Sequence, residues 1–451
     1  MAWFKFIFCT DRDDDDEDVA EPQQETLAMS VISMHANSQE QSDHTSSSST
    51  TIIANSEDLV SEILLHLPIK CLLRFKSVSK QWLFLISHPL FIHEYNRRNP
   101  ISVSGFFFPT GLSRAIYPQL DFVLLDGNIA ADIPFTHLHD PVAVEVLHSC
   151  NGLLLCSGRI GTLSGLVPYH VHNPATKQHR TLPLRPSVGM VSSASIAFDP
   201  CRSPHYKVVL ILNPEFSDLL SFQIELYSSE TGHWRLCGEP FNLYGKEFTP
   251  GVFWNGAMHW IRQPDTFLCF DVERECLRTM PPLPQLTQAL NRRGYLYFGE
   301  SQGHLHLIVA NVRHQAFGPE TTSFAVLEME KDYSGWFVKY QVDLDALIYE
   351  FPEILPFAPG HQIDTRFFPI PVPFYQYSVL NLIRGGGGEE EEEEEEEESW
   401  LVLHVPGKVI SYSLKDKSTQ LLRVSSDPAK DSVLRYFWDD IHPYIETLSC
   451  I

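Results

Sequence analysis

The sequence predicts an α+β multidomain chain, a small three-helix unit followed by a large all-β domain, and three observations predict it. Apolar residues keep helical spacing only between Ser56 and Phe91. Beyond about Ile101 they fall into short runs that recur roughly every fifty residues. The 31 prolines and 24 glycines interrupt the chain too often for long helices and favour short strands joined by turns. At 451 residues, with 43% hydrophobic and 12% aromatic side chains, the chain can fill one large core and a small companion.

Residues 1–51 come first. Met1–Thr10 is apolar but short, runs into an acid cluster and has no small-residue cleavage site, so it does not read as a secretory signal. The remainder is acidic, then rich in Gln, Ser and Thr. Such a composition buries too little surface to offset ordering entropy and predicts a disordered tail.

The helical unit occupies 52–98. Ser56 is placed to cap the first helix, with Glu57 and Asp58 in the first turn, where the helix dipole favours acids. Leu59, Val60, Ile63, Leu64 and Leu67 follow at helical spacing until Pro68 stops the helix. A second short helix carries Leu72, Leu73 and Phe75; a third carries Val78, Trp82, Leu85 and Ile86 and ends at Pro89. So small a unit lacks an interior for all of these side chains, which points to a partner surface.

Residues 99–451 form the predicted β domain. Its repeating unit is a short apolar strand, a gap, a second strand, a polar turn and a further strand. Gly152–Cys156 precedes Tyr169–Leu182, Tyr206–Ile211 precedes Ile224–Leu236, and Gly256–Ile261 precedes Phe267–Leu277. Gly303–Ile308 precedes Phe324–Val338, and Trp400–His404 precedes Val409–Ser418. The turn positions Asn173, Ser228, Asp271 and Glu328 lie 55, 43 and 57 residues apart. About four strands in each repeat of about fifty residues indicate a β-propeller, whose sheets are stable only when neighbours stack on them. A large β-sandwich is the alternative. Asn151-Gly152 and Asn255-Gly256 mark tight hairpins, and Trp234, Trp254, Trp260 and Trp336 are placed to pack between sheets. A Gly/Glu low-complexity loop at 385–398, four glycines then ten glutamates, interrupts the last repeat as a solvated segment.

Of the net charge of −24, ten units come from Glu389–Glu398 and six from the Asp11–Asp18 cluster, which leaves −8 for the rest. No basic patch suggests a nucleic-acid partner. No segment approaches the ~20 apolar residues of a membrane span. Nine scattered cysteines, without a regular framework or zinc spacing, read as reduced thiols of a cytoplasmic and/or nuclear protein.

The stretch Glu57–Trp82, continued by Leu85-Ile-Ser-His-Pro89, resembles an F-box, carried by Leu59, Ile63-Leu64, Leu67-Pro68, Leu72-Leu73, Val78, Lys80 and Trp82. Ser149–Leu155, Asn173–Lys177, Phe198–Pro200 with Tyr206–Val209, Gly251–Trp260, Phe270-Asp271 and the tail Tyr444–Leu448 resemble the F-box-associated, kelch/propeller-like interaction domain of plant F-box proteins. One position departs from the pattern: Asn55-Ser56 stands where F-boxes carry a Leu-Pro pair that helps grip the adaptor.

The resemblance implies a substrate-recognition subunit of an SCF-type (Skp–cullin–F-box) ubiquitin ligase. In that family the F-box docks on a Skp-type adaptor, which connects to cullin and a RING subunit, and the β-domain presents a protein substrate for ubiquitination. The receptor does no chemistry and needs no cofactor; its contribution is proximity. The implied adaptor-binding residues are Leu59, Ile63, Leu64, Leu67, Pro68, Leu72, Leu73, Val78, Lys80 and Trp82. The residue types fit that role by themselves: leucines seek an apolar groove, Trp82 is an aromatic anchor, and Lys70, Arg74, Lys76 and Lys80 can steer toward an acidic partner. The plainer reading makes Leu64, Leu73 and Trp82 the unit's own core. Substrate contacts belong to the loops of the β-domain, where the sequence singles out no residue.

Two other functions fit the pattern less closely. One is an F-box scaffold acting outside the ligase. The other is a propeller enzyme, which needs carboxylates or metal ligands converging on a central channel. His304/His306 and His170/His172 each face one side of a strand, but two ligands make no metal site, and packed or solvated strand histidines explain them better. Asp199, Asp265 and Asp271 fit turns, and Gly161–Gly165 is not a nucleophile elbow. The glutamate run is either inert filler or a lure for a basic partner.

Overall fold

The computed structural model describes residues 57–99, 101–109, 120–125, 144–158, 168–187, 189–213, 221–243, 248–262, 266–284, 293–311, 319–355, 375–385, 398–424 and 436–451. The tail 1–51, Asn55-Ser56, Gly161–Gly165, Asp265 and Glu389–Glu397 lie outside these residues. The chain divides into two compact units, with the boundary after Phe91.

In the first unit, α1 (Glu57–Leu65), α2 (Ile69–Phe75) and α3 (Lys80–Ser87) follow the predicted order. Pro68 sits just before α2 in an extended conformation, as its fixed φ and missing N–H require. Ser79 caps α3: its hydroxyl oxygen accepts the Trp82 N–H at 3.2 Å. Phe75 meets Trp82 edge-on, ring centroids 5.4 Å apart. A fourth helix, α4 (Pro89–Arg98), begins where the sequence predicts only an end and spans the boundary after Phe91. Pro89 ends α3 and also opens α4, because a first-turn residue needs no N–H partner. Glu94 holds Arg97 and Arg98 at 2.6 Å on its exposed side.

The second unit is built from six antiparallel sheets among the described residues. β1 (Val103–Pro109) and β2 (Leu120–Leu124) come first. Five four-stranded meanders follow. They are β3 (Val144–Cys150), β4 (Leu153–Gly158), β5 (Tyr169–Asn173) and β6 (Gln178–Thr181); then β7 (Met190–Ala197), β8 (Lys207–Asn213), β9 (Ser221–Ser228) and β10 (His233–Asn242). Next are β11 (Val252–Trp254), β12 (Ala257–Arg262), β13 (Thr266–Asp271) and β14 (Cys276–Thr279); then β15 (Arg293–Ser301), β16 (His304–Asn311), β17 (Ser323–Met329) and β18 (Trp336–Asp343). The last is β19 (Ser378–Ile383), β20 (Trp400–Val405), β21 (Lys408–Ser413) and β22 (Thr419–Val424). β23 (His442–Ile445) then returns to pair with β1, giving a sixth sheet of order β2-β1-β23.

First strands of successive sheets touch in the series β23, β3, β7, β11, β15, β19. This is a six-bladed propeller, not a sandwich, and its ring is stitched shut by strands from opposite ends of the unit. A separate buried cluster fills each gap between neighbouring blades. In β8, Val208, Leu210 and Leu212 face the preceding blade with Leu153 and Leu155, while Val209 and Ile211 face the following blade with Met258 and Trp260. Both faces are covered, so the strand reads as an unbroken apolar run. Trp234, Trp254, Trp260 and Trp336 are all buried in such gaps. At the closure, Phe107 packs with Val146, Leu154 and Tyr444, and Phe106 and Phe108 pack with Leu380 and Val402.

Turn chemistry repeats with the blades. Asn151-Gly152, Asn255-Gly256 and Gln302-Gly303 all have positive φ at both positions, the twist-matched hairpin that joins first and second strands. In the outer hairpins a positive-φ residue stands four places after Asn173, Ser228, Asp271 and Ser413, at Lys177, Gly232, Glu275 and Lys417. The fourth blade is offset by one: Tyr333 follows Met329, so Glu328 lies within β17 and is buried.

Candidate functional site

The adaptor-facing set implied by the sequence separates into layers. Leu64, Leu67, Leu72 and Trp82 are buried; Ile63 and Leu73 are half-buried. Leu59 (46% exposed), Val78 (38% exposed), Pro68 and Lys80 lie outside. Further exposed apolar side chains are Leu83, Phe84 (72% exposed) and Leu90 (73% exposed). The sequence reading misses Leu83 and Phe84 because Trp82–Ile86 is continuously apolar and has no period to show which side is covered, and Leu90 because it lies in the helix that the sequence does not predict. Exposed apolar groups therefore come from α1, the α2–α3 link, α3 and α4, a concentration that marks an interaction surface. Lys70 and Arg74 are exposed in the same unit.

The second unit carries an open cavity of about 1850 Å³, lined by residues of β3, β11, β15, β19 and β23, by the turns after β3, β7, β11 and β15, and by parts of the fourth and fifth full blades. His148 of β3 lies on its wall. The Ile196 N–H donates to His148 Nδ1 at 3.2 Å, and His148 Nε2 donates to the Gly251 carbonyl at 2.6 Å. Burial pushes this imidazole down to about 4, so it is a neutral strut tying three blades together. His442 is likewise pushed down, to about 3, by burial and by its neighbour His148.

His304, Lys339 and Arg384, which also line the cavity, converge on the buried Glu328. Glu328 receives His304 Nδ1 at 2.6 Å and His306 Nε2 at 3.3 Å, with Arg384 Nη1 at 3.6 Å and Lys339 Nζ at 4.0 Å. Burial pulls the Glu328 carboxyl up, but hydrogen bonds from His304 and His306 outweigh it and hold the group well below the usual carboxylate range. Burial lowers His306. Sequence spacing showed the histidine pair without its acid, because the acid comes from the next strand, where His306 pairs with Glu328. His170, His172 and His179 also gather, with ring centroids 6.3 and 5.6 Å apart, and burial pushes His172 down to about 4. Among the described residues, no group of three or more His, Cys, Asp or Glu side chains is arranged to hold a metal.

Cys150 donates to the Phe198 carbonyl at 3.4 Å, and burial drives its thiol far above the usual range, toward the protonated form. Asp199 and Asp271 accept the main-chain N–H groups of Cys201 and Glu273, both at 3.0 Å, as turn residues do. No helix among the described residues is long and apolar enough to cross a membrane.

Two family models match the chain: the F-box domain over residues 56–94, and the F-box associated beta propeller domain over residues 121–302. The chain is 34% identical over 400 residues to the Arabidopsis thaliana protein named F-box protein At5g07610, covering 84% of this chain and 87% of that one. It is 28% identical over 268 residues to F-box protein At5g49610 of the same plant, covering 56% and 71%. It is 29% identical over 251 residues to F-box protein At5g03970, also from Arabidopsis thaliana, covering 51% and 57%.

Proposed function

This chain belongs to the F-box proteins that carry an F-box-associated β-propeller, and we propose that it is the substrate-recognition subunit of an SCF-type ubiquitin ligase. An F-box implies a Skp-type adaptor as its partner. The observation that carries the reading is the exposed apolar set Leu59, Val78, Leu83, Phe84 and Leu90, all within the helical unit that ends at Phe91. Each such side chain buried in an adaptor groove contributes roughly 1.5–3 kcal/mol. Leu64, Leu67, Leu72 and Trp82, packed inside, hold that surface in shape, and Lys80 and Pro68 lie beside it in sequence.

Through the adaptor the chain joins cullin and a RING subunit, in the cytoplasm and/or nucleus. The propeller holds a protein substrate, whose lysine is brought near a charged ubiquitin-conjugating enzyme. The chain's contribution is effective concentration, with no catalysis and no cofactor of its own.

The test is reconstitution from purified parts. The chain is expected to co-elute with a cullin–RING assembly only when the adaptor is present. A chain that binds adaptor and never reaches cullin supports a scaffold acting outside the ligase, the alternative that Asn55-Ser56 in place of Leu-Pro keeps open.

A further inference from the structure

The apolar surface of the helical unit meets its match in an apolar segment of the same chain. Leu59, Val78, Leu83, Phe84 and Leu90 are all exposed. On α3, Lys80, Leu83 and Phe84 share one face, since residues three and four apart are neighbours on a helix. His88 lies against the Phe84 ring, centroids 5.6 Å apart, and still leaves Phe84 72% exposed. Such a concentration of apolar side chains is stabilised by any cover that takes it out of water.

The surface is also basic. From Ile69 to Ser87 the sequence carries Lys70, Arg74, Lys76 and Lys80 and no acid. Arg74 and Lys80 are exposed, one just before Val78 and the other on the face of Leu83 and Phe84. The exposed acids Asp58 and Glu62 belong to α1.

The N-terminal sequence has the complementary pattern. Met1–Thr10 holds Trp3, Phe4, Phe6, Ile7 and Phe8 against a single charge, Lys5. Asp11–Asp18 follows directly, with seven acids against Arg12. An apolar block thus adjoins an acidic one, as on the helical unit an apolar set adjoins a basic one. Residues 1–18 lie outside the described residues, and residues 19–56 connect them to α1. A chain of that length reaches on the order of 30–40 Å, well beyond the ~13 Å length of a helix such as α1. The glutamate run Glu389–Glu398 is a poorer match: it offers charge alone, and the next apolar residue, Trp400, already belongs to β20.

We propose that Met1–Thr10 docks on the apolar surface formed by Leu59, Val78, Leu83, Phe84 and Leu90, with Asp11–Asp18 against Arg74 and Lys80, and competes there with the adaptor. The competition rests on the receptor reading above; the docking does not. Tethering supplies an effective concentration of about a millimolar. A segment with a bimolecular dissociation constant of about 0.1 mM is then docked in roughly nine chains of ten and weakens adaptor binding about tenfold. The chain thereby holds its own F-box surface partly covered until an adaptor displaces the segment.

Two measurements on the full chain test this. The first is the dissociation constant for a purified Skp-type adaptor. Trp3→Ser with Phe4→Ser, Phe6→Ser and Phe8→Ser is expected to bind adaptor about tenfold more tightly than the parent. Asp13→Asn with Asp14→Asn, Asp15→Asn and Asp16→Asn is expected to gain part of that, because the charge attraction is lost and the apolar cover is kept. Unfolding midpoints equal to the parent's establish that both variants keep the fold. The second measurement needs no adaptor. A photocrosslinking benzophenone amino acid in place of Phe6 is expected to join residues 57–90 of the same molecule, and excess adaptor to suppress the product. Mixing isotopically heavy and light chains distinguishes links within a molecule from links between two.

Unchanged adaptor affinity in either folded variant overturns the inference. So do links only to the propeller, or links only between two copies. Links within the helical unit, with no adaptor bound by any of the chains, sink the receptor reading and leave the docking standing. Adaptor bound equally by parent and variants, with no such link, sinks the docking and leaves the receptor reading standing.

Discussion

The Asn173 side-chain amide donates to the main-chain carbonyls of Ser449 at 2.7 Å and Thr447 at 3.2 Å, joining the first full blade to the end of the chain. Its oxygen also accepts the Thr176 N–H at 3.2 Å, so the same residue shapes its own hairpin. Nearby, Gly152 has φ +88°, and a Cβ there would collide with Thr447 and the Ile445 carbonyl. The tail after β23 thus lies in a slot made for it. Asn173→Ala strands two buried carbonyls and is expected to cost about 2–4 kcal/mol. A urea titration checks this; an unchanged midpoint means that the tail does not clasp the ring.

Arg185 and Glu225 form a buried pair at 3.8 Å, and Arg185 also donates to the Ser187 and Gly189 carbonyls at 2.8 and 2.6 Å. Arg185→Met leaves a carboxylate buried without its counter-charge and is expected to destabilise by about 3–5 kcal/mol. The double variant Arg185→Met, Glu225→Met removes the stranded charge and should recover most of that loss. Chemical denaturation of the three variants measures it. A single variant as stable as the parent contradicts a structural role for the pair.

Acid should loosen the propeller. Burial pushes His148, His172 and His259 down to about 4 and His442 to about 3. Unfolded, each titrates near its ordinary value of about 6.5. Between those values the unfolded chain binds protons that the folded chain refuses. Stability therefore falls with pH, by up to about 1.4 kcal/mol per unit for each histidine. Asp440, raised to about 6 by burial, and the raised Asp439 and Glu300 act oppositely and offset part of the slope. Glu328, held low, adds to the loss once pH falls through the ordinary carboxylate range. Urea midpoints at about pH 7.5 and about pH 5 should show the acid sample to be the weaker. Equal midpoints contradict neutral buried imidazoles.

The second and third strands of the blades were legible because they are covered on both faces. Leu153–Cys156 and Val208–Leu212 read as apolar runs, and their outer turns recur at Asn173, Ser228 and Asp271. The first strands were not legible. β7 reads Met-Val-Ser-Ser-Ala-Ser-Ile-Ala and β3 carries Glu145 and His148, so polar residues break their patterns; in β3, His148 faces the cavity. The sixth blade left no repeat, since β1, β2 and β23 come from opposite ends of the unit. Helical spacing identified the apolar positions of the F-box but not their cover, which is why Leu64 and Leu59 looked equivalent. Glu328 read as a turn residue; only strand register brings it to His304 and His306.

This difference in cover decides how adaptor docking is tested. Leu64 and Leu67 are buried, so a charge there unfolds the unit whatever its function. Leu59 and Val78 are exposed and take a charge without loss of fold. The decisive measurement is the dissociation constant of the full chain for a purified Skp-type adaptor, compared with Leu59→Asp, Val78→Asp. The wild type should bind, and the folded double variant should bind about a hundredfold more weakly or not at all. A folded wild type that does not bind, or a double variant that binds equally well, contradicts adaptor docking through this surface.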